Sequence, residues 1–205
     1  DWAPGWDAID EEFSRLYPGV KPAHYGTNIE ARAMFGGNCY LDGYSIYDTG
    51  KGYMHIVTYG MSDLYADEES FGGEWDGWGY EMTMKLKADK PEDCLWALDI
   101  LSNIARYTYE TKNFYSPYQV APGNGTPIRI GSDSKLTALL SVPDTSAQPV
   151  DTVHGRLEFI QFCGITEPDL DAIKADYDNI TKLVQLMEAD DPEFITDLSR
   201  TKSYL

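Results

Sequence analysis

The chain carries three histidines, His24, His55 and His154, the side chains best suited to proton transfer near neutral pH. His55 lies inside Tyr53-Met54-His55-Ile56-Val57-Thr58-Tyr59, a run dense in β-formers, with Met54 and Ile56 on the opposite face of the strand. Paired with an aspartate or cysteine from elsewhere in the chain, His55 would be the base of a hydrolase-type site, since such pairs meet in space and not in sequence. A histidine within a strand is more often a hydrogen-bonded structural residue, and that reading is favoured here. No two histidines share a metal-ligand spacing. There is no G-x-S-x-G elbow, no G-x-x-x-x-G-K-[ST] loop and no H-E-x-x-H helix. Gly123-Asn124-Gly125 fits no phosphate cradle and reads as a turn. No catalytic residue, metal or cofactor is therefore assigned.

A second group of chemically active residues is the segment from Asp63 to Asp76. Asp63, Asp67, Glu68, Glu69, Glu74 and Asp76 cluster there with Phe71, Trp75 and Trp78. The spacing departs from that of a calcium loop, because Phe71 occupies a position where an oxygen ligand is required. Acid interleaved with aromatics suits the docking of a basic peptide. The competing reading is a solvated loop whose tryptophans fold back onto the core, with Asp63 satisfying local backbone amides.

The elements that must position these residues follow from periodicity. Tyr44 to Asp48, Tyr53 to Tyr59 and Trp78 to Leu86 alternate apolar and polar residues, which predicts three strands with one buried face. Asp48-Thr49-Gly50-Lys51-Gly52 supplies the turn between the first two. Trp6, Ile9, Phe13, Leu16 and Tyr17 recur at helical spacing within 1–20, and Pro18-Gly19 stops that helix. Ala23 to Gly26 reads as a short edge strand, and Phe35-Gly36-Gly37-Asn38 as a turn. From about Pro91 to Thr111, Leu95, Leu98, Leu101, Ile104, Ala105 and Tyr109 predict the longest helix, packed across the sheet. Tyr115 to Ala121 reads as extended, Ile128-Arg129-Ile130 and Leu136 to Val142 as short strands, and Gly155 to Ile165 as a central strand. Thr166-x-x-Asp169 resembles a capping box for a helical region from about Glu167 to Glu188, broken near Tyr177. Phe194 to Asp197 reads as a last short strand. The fold class expected is α+β, a single domain over 1–205 with a mixed, largely antiparallel sheet packed by helices.

Composition narrows the partners. The 205 residues hold 42% hydrophobic content, enough for a sizeable core. Sixteen Lys and Arg against 34 Asp and Glu give a formal charge of −18. Such a surface repels phosphate backbones and anionic membranes, so neither nucleic acid nor membrane is an expected partner. A basic protein would be steered toward it, although acidity also serves solubility alone. No apolar run is long enough to span a bilayer. Cys39, Cys94 and Cys163 are odd in number and widely spaced, with no C-x-x-C, which points to thiols in a reducing cytoplasm. Cys94 and Cys163 sit in apolar patterns and are expected to be buried. Asn124-Gly125-Thr126 and Asn179-Ile180-Thr181 match the glycosylation pattern, which an unsecreted chain does not use.

Several blocks together carry a resemblance. His55 to Tyr65, Gly77 to Leu86, Ile104-Ala105-Arg106-Tyr107 and Ile195-Thr196-Asp197-Leu198-Ser199-Arg200 stand in the same order as in the suppressor of fused family, over about Trp6 to Arg200. The resemblance implies the N-terminal, mixed α/β domain of that family, without the second domain of the eukaryotic members. It also implies a binding module with no catalytic residues, which takes up an extended peptide by strand addition. Tyr107 matches a tyrosine that faces the peptide, whereas the aspartate that pairs with the peptide falls near Tyr118, so that charge is lost here. The shorter chain resembles bacterial members, which implies an immunity protein masking a basic toxin. The contact surface expected is Tyr107 and Tyr118 with Asp67, Glu69, Trp75 and Trp78. The alternatives kept are a hydrolase built on His55 and a module that pairs with a copy of itself.

Overall fold

In the computed structural model, residues 2–27 and 40–205 are described. The alternating stretch folds as expected into three antiparallel strands, β2 (Gly43–Asp48), β3 (Tyr53–Tyr59) and β4 (Trp75–Lys87). β1 (Ala23–Gly26) adds to the outside of β2 and forms one end of the sheet. On the other side, β4 pairs in parallel with β8 (Gly155–Thr166), which also pairs with β6 (Leu136–Pro143) and β7 (Val150–Thr152). β5 (Val120–Ala121) closes the order β1-β2-β3-β4-β8-β6-β5. Among the described strands the β4–β8 pair is parallel and the other strand pairs are antiparallel, so the sheet is mixed but largely antiparallel.

Helices cover both faces. α1 (Pro4–Leu16), α2 (Leu95–Thr111), α3 (Glu167–Ala175) and α4 (Asn179–Asp190) are preceded or joined by short turns, and a 3-10 turn at Pro91–Cys94 leads into α2. α2 lays Ala97, Leu101, Ile104 and Ala105 on Ile46, Ile56, Met82, Met84 and Phe162. Ile46, Ile56 and Met84 stand opposite one another across β2, β3 and β4, so the register builds one apolar row under the helix. On the other face α1 packs Ile9 and Phe13 against Tyr47, Val57 and Phe159. Beside it, α3 and α4 pack Leu170, Ile173 and Leu183 against Leu140, Cys163 and Ile165. Each buried Val, Leu, Ile, Phe or Met side chain among these contributes roughly 1.5–3 kcal/mol, and each alanine less. Among the described residues no helix is long and apolar enough to cross a membrane.

This two-sided cover overturns one expectation. Five polar positions of β3 and β4 do not face water: His55, Thr58, Glu81, Thr83 and Lys85 are all 0% exposed. They lie under helices and loops that the strands' own alternation does not announce. Ile128-Arg129-Ile130 is a turn and not a strand, with Ser132 N–H donating to Arg129 O, Gly131 at φ +82° and Ile130 fully out in solvent. Phe194 to Asp197 makes one isolated bridge, Thr196 to Leu86. The Thr166–Asp169 capping box is absent. The Thr166 hydroxyl bonds Ser203 at 2.6 Å, and Asp169 Oδ1 accepts from the N–H groups of Tyr204 and Leu205, both at 2.9 Å. Phe35 to Asn38 and Cys39 lie outside the described residues. Cys94 and Cys163 are buried and free, and burial pushes each thiol up to about 12.

Candidate functional site

Where α1 and the α3–α4 pair leave the lower face of the sheet, a buried polar seam fills the gap. His55 on β3 bonds Tyr17 Oη through Nδ1 at 2.6 Å and Asp144 Oδ2 through Nε2 at 2.7 Å. Thr83 Oγ1 donates to the same Asp144 oxygen at 2.5 Å. The N–H groups of Ser146 and Ala147 donate to Oδ1 at 2.9 and 2.7 Å. Burial works to raise the Asp144 carboxyl, but the facing His55 and Lys85, with the Thr83 bond, hold it well below the usual carboxylate range. Lys85 Nζ, opposite His55 in the ladder, bonds Thr145 Oγ1, Ser146 Oγ and Glu193 Oε2 at 2.5–2.6 Å. Tyr–His–Asp order is the order of an acid–base relay, and it supplies the aspartate that a hydrolase reading asks of His55. However, the His55 and Asp144 side chains are both 0% exposed, and both ring nitrogens are occupied. The arrangement ties β3, β4, α1 and the 144–147 segment together.

A second buried carboxylate shapes a loop. Glu81 accepts five hydrogen bonds: from Thr58 Oγ1 at 2.9 Å, from the N–H groups of Gly60, Met61 and Ser62 at 3.2, 3.0 and 3.0 Å, and from Ser62 Oγ at 2.5 Å. Burial pushes its carboxyl up to about 7 against those donors. The 60–62 turn so held supports an aromatic surface. Trp78 N–H donates to Met61 O at 3.0 Å, and Tyr109 Oη donates to Gly60 O.

From there a row of half-buried and exposed rings runs to the β5 edge. Trp78 meets Tyr109 edge-on, with centroids 5.6 Å apart, and Phe114 at 6.4 Å, and Lys112 Nζ lies 5.9 Å over the Trp78 ring. Tyr107 packs 6.3 Å from Tyr115 and accepts a bond from Asn113 Nδ2 at 3.3 Å. Tyr118 is half exposed, at φ +69°, a left-handed conformation costly for a tyrosine. Its N–H donates to Ser141 O at 2.7 Å, which fixes the entry of β5. Tyr107, Phe114, Tyr118, Val120 and Tyr177 rim one depression of about 460 Å³ at this end of the sheet. A neighbouring groove of about 530 Å³ runs along α2 past Tyr107, Ile104, Ala121 and Ile128.

The acidic segment sits elsewhere. Asp67 caps the 3-10 turn Glu68–Ser70, accepting from Glu69 N–H at 3.2 Å and Ser70 Oγ at 2.9 Å. Its own N–H donates to His154 Nε2 at 3.0 Å, and Phe71 packs 5.3 Å from the His154 ring and 6.0 Å from Trp2. Among the described residues His154 Nδ1 has no hydrogen-bond partner, and it faces Asp76 Oδ1 at 4.0 Å. Asp76 does the work expected of Asp63: it is fully buried and accepts from Asp63 N–H at 2.7 Å and Thr152 Oγ1 at 2.6 Å.

The family model for the suppressor of fused protein matches residues 37–201, most of the chain. The chain belongs to the suppressor of fused family. The human and mouse suppressor of fused homologues are each 28% identical to it over 96% of its length. The chain spans 43% of those relatives, less than half of each. A chain of the Sufu–Fu complex superposes with a TM-score of 0.81 at 24% identity, covering 99% of this chain and 93% of that one. A suppressor of fused homologue from Neisseria gonorrhoeae superposes with a TM-score of 0.66 at 9% identity, over 98% and 97% of the two chains. The fold expected from the resemblance is therefore the fold found.

Within this suppressor of fused domain the six residues expected to form one contact surface divide. Tyr107 and Tyr118 share the depression beside β5, and Trp78 reaches it through Phe114. Asp67 and Glu69 lie exposed on the turn against His154, and Trp75 lies at the start of β4, its ring over Gly79. Sequence reasoning missed Phe114 and Tyr177 at the rim and Glu81 and Asp144 in the interior. A glutamate inside a strand pattern was the available signal for Glu81; Tyr177 was visible only as a helix break.

Proposed function

We propose that this chain is a non-enzymatic protein-binding domain that takes an extended segment of a basic protein partner along the free edge of β5. The observation that carries this reading is the meeting of a terminal strand with exposed rings. Among the described residues the sheet ends at a two-residue strand, and Tyr107, Phe114, Tyr118 and Tyr177 stand around the depression beside it. A peptide added to such an edge gains main-chain hydrogen bonds, and the rings give it area at low entropic cost. The formal charge of −18 favours a basic partner through faster encounter. One structurally similar chain was solved in a Sufu–Fu complex, which supports a protein as the partner class. The sealed His55–Asp144 pair supports a structural use of the residues a hydrolase would need. A basic toxin or toxin domain, masked in the cytoplasm, is the partner that the bacterial resemblance favours.

The test uses the whole chain as bait in lysate of its own source organism, beside a charge-matched acidic protein and the Tyr107→Ala, Tyr118→Ala double variant. The expected result is a basic protein retained by the wild type and lost from the double variant, whose melting temperature stays near that of the wild type. Equal retention by a folded double variant would overturn the edge site. Toxicity of the retained protein alone, relieved by this chain, would establish the immunity role.

A further inference from the structure

The 63–76 turn holds its rings outward. Trp2, Phe71 and Trp75 are 56%, 39% and 46% exposed, close to Asp67, Glu68, Glu69 and Glu74, all of them exposed. Residues 52–84 contain no lysine or arginine. Among the described residues no ion pair involves those four carboxylates, and the nearby Arg156 guanidinium is turned to Glu158 at 2.9 Å. The negative charge is thus left uncompensated beside unburied aromatic area.

The turn is also built to keep one shape. Gly72 N–H donates to Val153 O at 2.9 Å, Ala66 N–H to Trp2 O at 3.1 Å, and Asp67 N–H to the buried His154. Gly155, at φ +136°, lets the β7–β8 turn lie against Gly73 and Trp75, where a Cβ would come within 2.8 Å of three backbone atoms. A loop needed for solubility alone has no use for rings fixed in water. A preorganised surface of this composition matches one chemistry, a planar cation that stacks on a ring while its N–H groups meet carboxylates.

We infer that the 63–76 turn, with Trp2, is a second docking surface, which takes an arginine-bearing segment of a protein partner. Arginine fits better than lysine, because the guanidinium stacks flat on Trp75 or Phe71 and offers a two-pronged donor to Asp67, Glu68 or Glu69. This surface is separate from the β5 edge and goes beyond the reading given for that edge. A partner that reached both would gain avidity from two modest contacts.

The experiment titrates the whole chain into a fluorescein-labelled peptide of alternating arginine and serine, and into its lysine counterpart of equal charge, at two salt concentrations. Fluorescence anisotropy reads the affinity. The arginine peptide should bind about three- to tenfold more tightly than the lysine peptide, and Trp75→Ala should weaken it about fivefold. Glu68→Gln with Glu69→Gln, at two exposed positions that leave the fold untouched, should weaken both peptides and flatten the salt dependence. Tyr107→Ala with Tyr118→Ala should leave peptide affinity unchanged, so a failure of the β5-edge reading stays distinguishable from a failure of this one. Equal binding of the two peptides, unaffected by Trp75→Ala, would reduce the surface to diffuse charge and overturn the proposal. Loss of the arginine peptide in the Tyr107, Tyr118 variant would do the same, by placing binding at the edge.

Discussion

Asp144→Asn isolates the buried seam at nearly constant volume. The wild-type carboxylate takes two backbone N–H groups on Oδ1, and His55 Nε2 with Thr83 Oγ1 on Oδ2. An asparagine must turn its amide nitrogen to one of these pairs. Facing Ser146 and Ala147, it would orphan one buried and one part-buried donor. Facing His55 and Thr83 is cheaper, since the imidazole can shift its proton to Nδ1 and Tyr17 can become the acceptor. In either pose the negative charge that faces His55 and Lys85 is gone. Breaking a buried charged network in this way costs about 3–5 kcal/mol. For a domain of this size each kcal/mol lowers the melting temperature by roughly 2–4 °C, so a fall of about 6–20 °C is expected at neutral pH. The pH dependence has a definite sign. Asp144 is held below its ordinary value by its partners, so its contribution is complete above the unfolded value of 3.8 and is lost as pH falls through the native one. The gap between wild type and variant should be widest near neutrality and close in acid. Thermal and urea melts across that range provide the assay. A variant that melts within a degree or two of wild type, or acid limbs that run parallel, would refute the assignment of a stabilising role to the seam.

Two further substitutions probe the elements behind the proposed binding surfaces. Glu81→Gln places an amide nitrogen among five donors and leaves at least one N–H of residues 60–62 without an acceptor, at a cost of about 1–3 kcal/mol. Urea denaturation should show that loss, and faster amide exchange should appear at Met61 and Ser62. Tyr118→Gly relieves a left-handed tyrosine while removing a ring from the depression, so stability should hold or rise by up to about 1 kcal/mol as partner affinity falls. Equal affinity in that variant would mean the Tyr118 ring contributes nothing to the edge.

Much of the framework was legible in one dimension. Ala23 to Gly26 and Gly155 to Ile165 were readable as an edge and a central strand, and the helix break near Tyr177 falls between α3 and α4. Such features are local: they depend on period, on turn residues and on which face is apolar. The Ile128-Arg129-Ile130 reading failed because three residues of suitable propensity were too few to outweigh the turn closed by Arg129 and Ser132.

The sequence by itself determined the class of the fold, the family, the order of the main elements and a formal charge of −18. What tertiary structure decided was which polar residues are inside. Glu81, Thr83 and Lys85 alternate with Tyr80, Met82 and Met84 as a solvent face would, yet helices and loops from distant parts of the chain close over them. Asp144 is separated from His55 by 89 residues and reaches it through the sheet. Likewise, Tyr107 and Tyr118 share a depression, while Asp67 bonds His154 elsewhere. Side-chain period reports which residues share a face of one element. Whether that face meets water, another element or a partner is set by long-range packing, in which contacts between distant segments outweigh the local pattern.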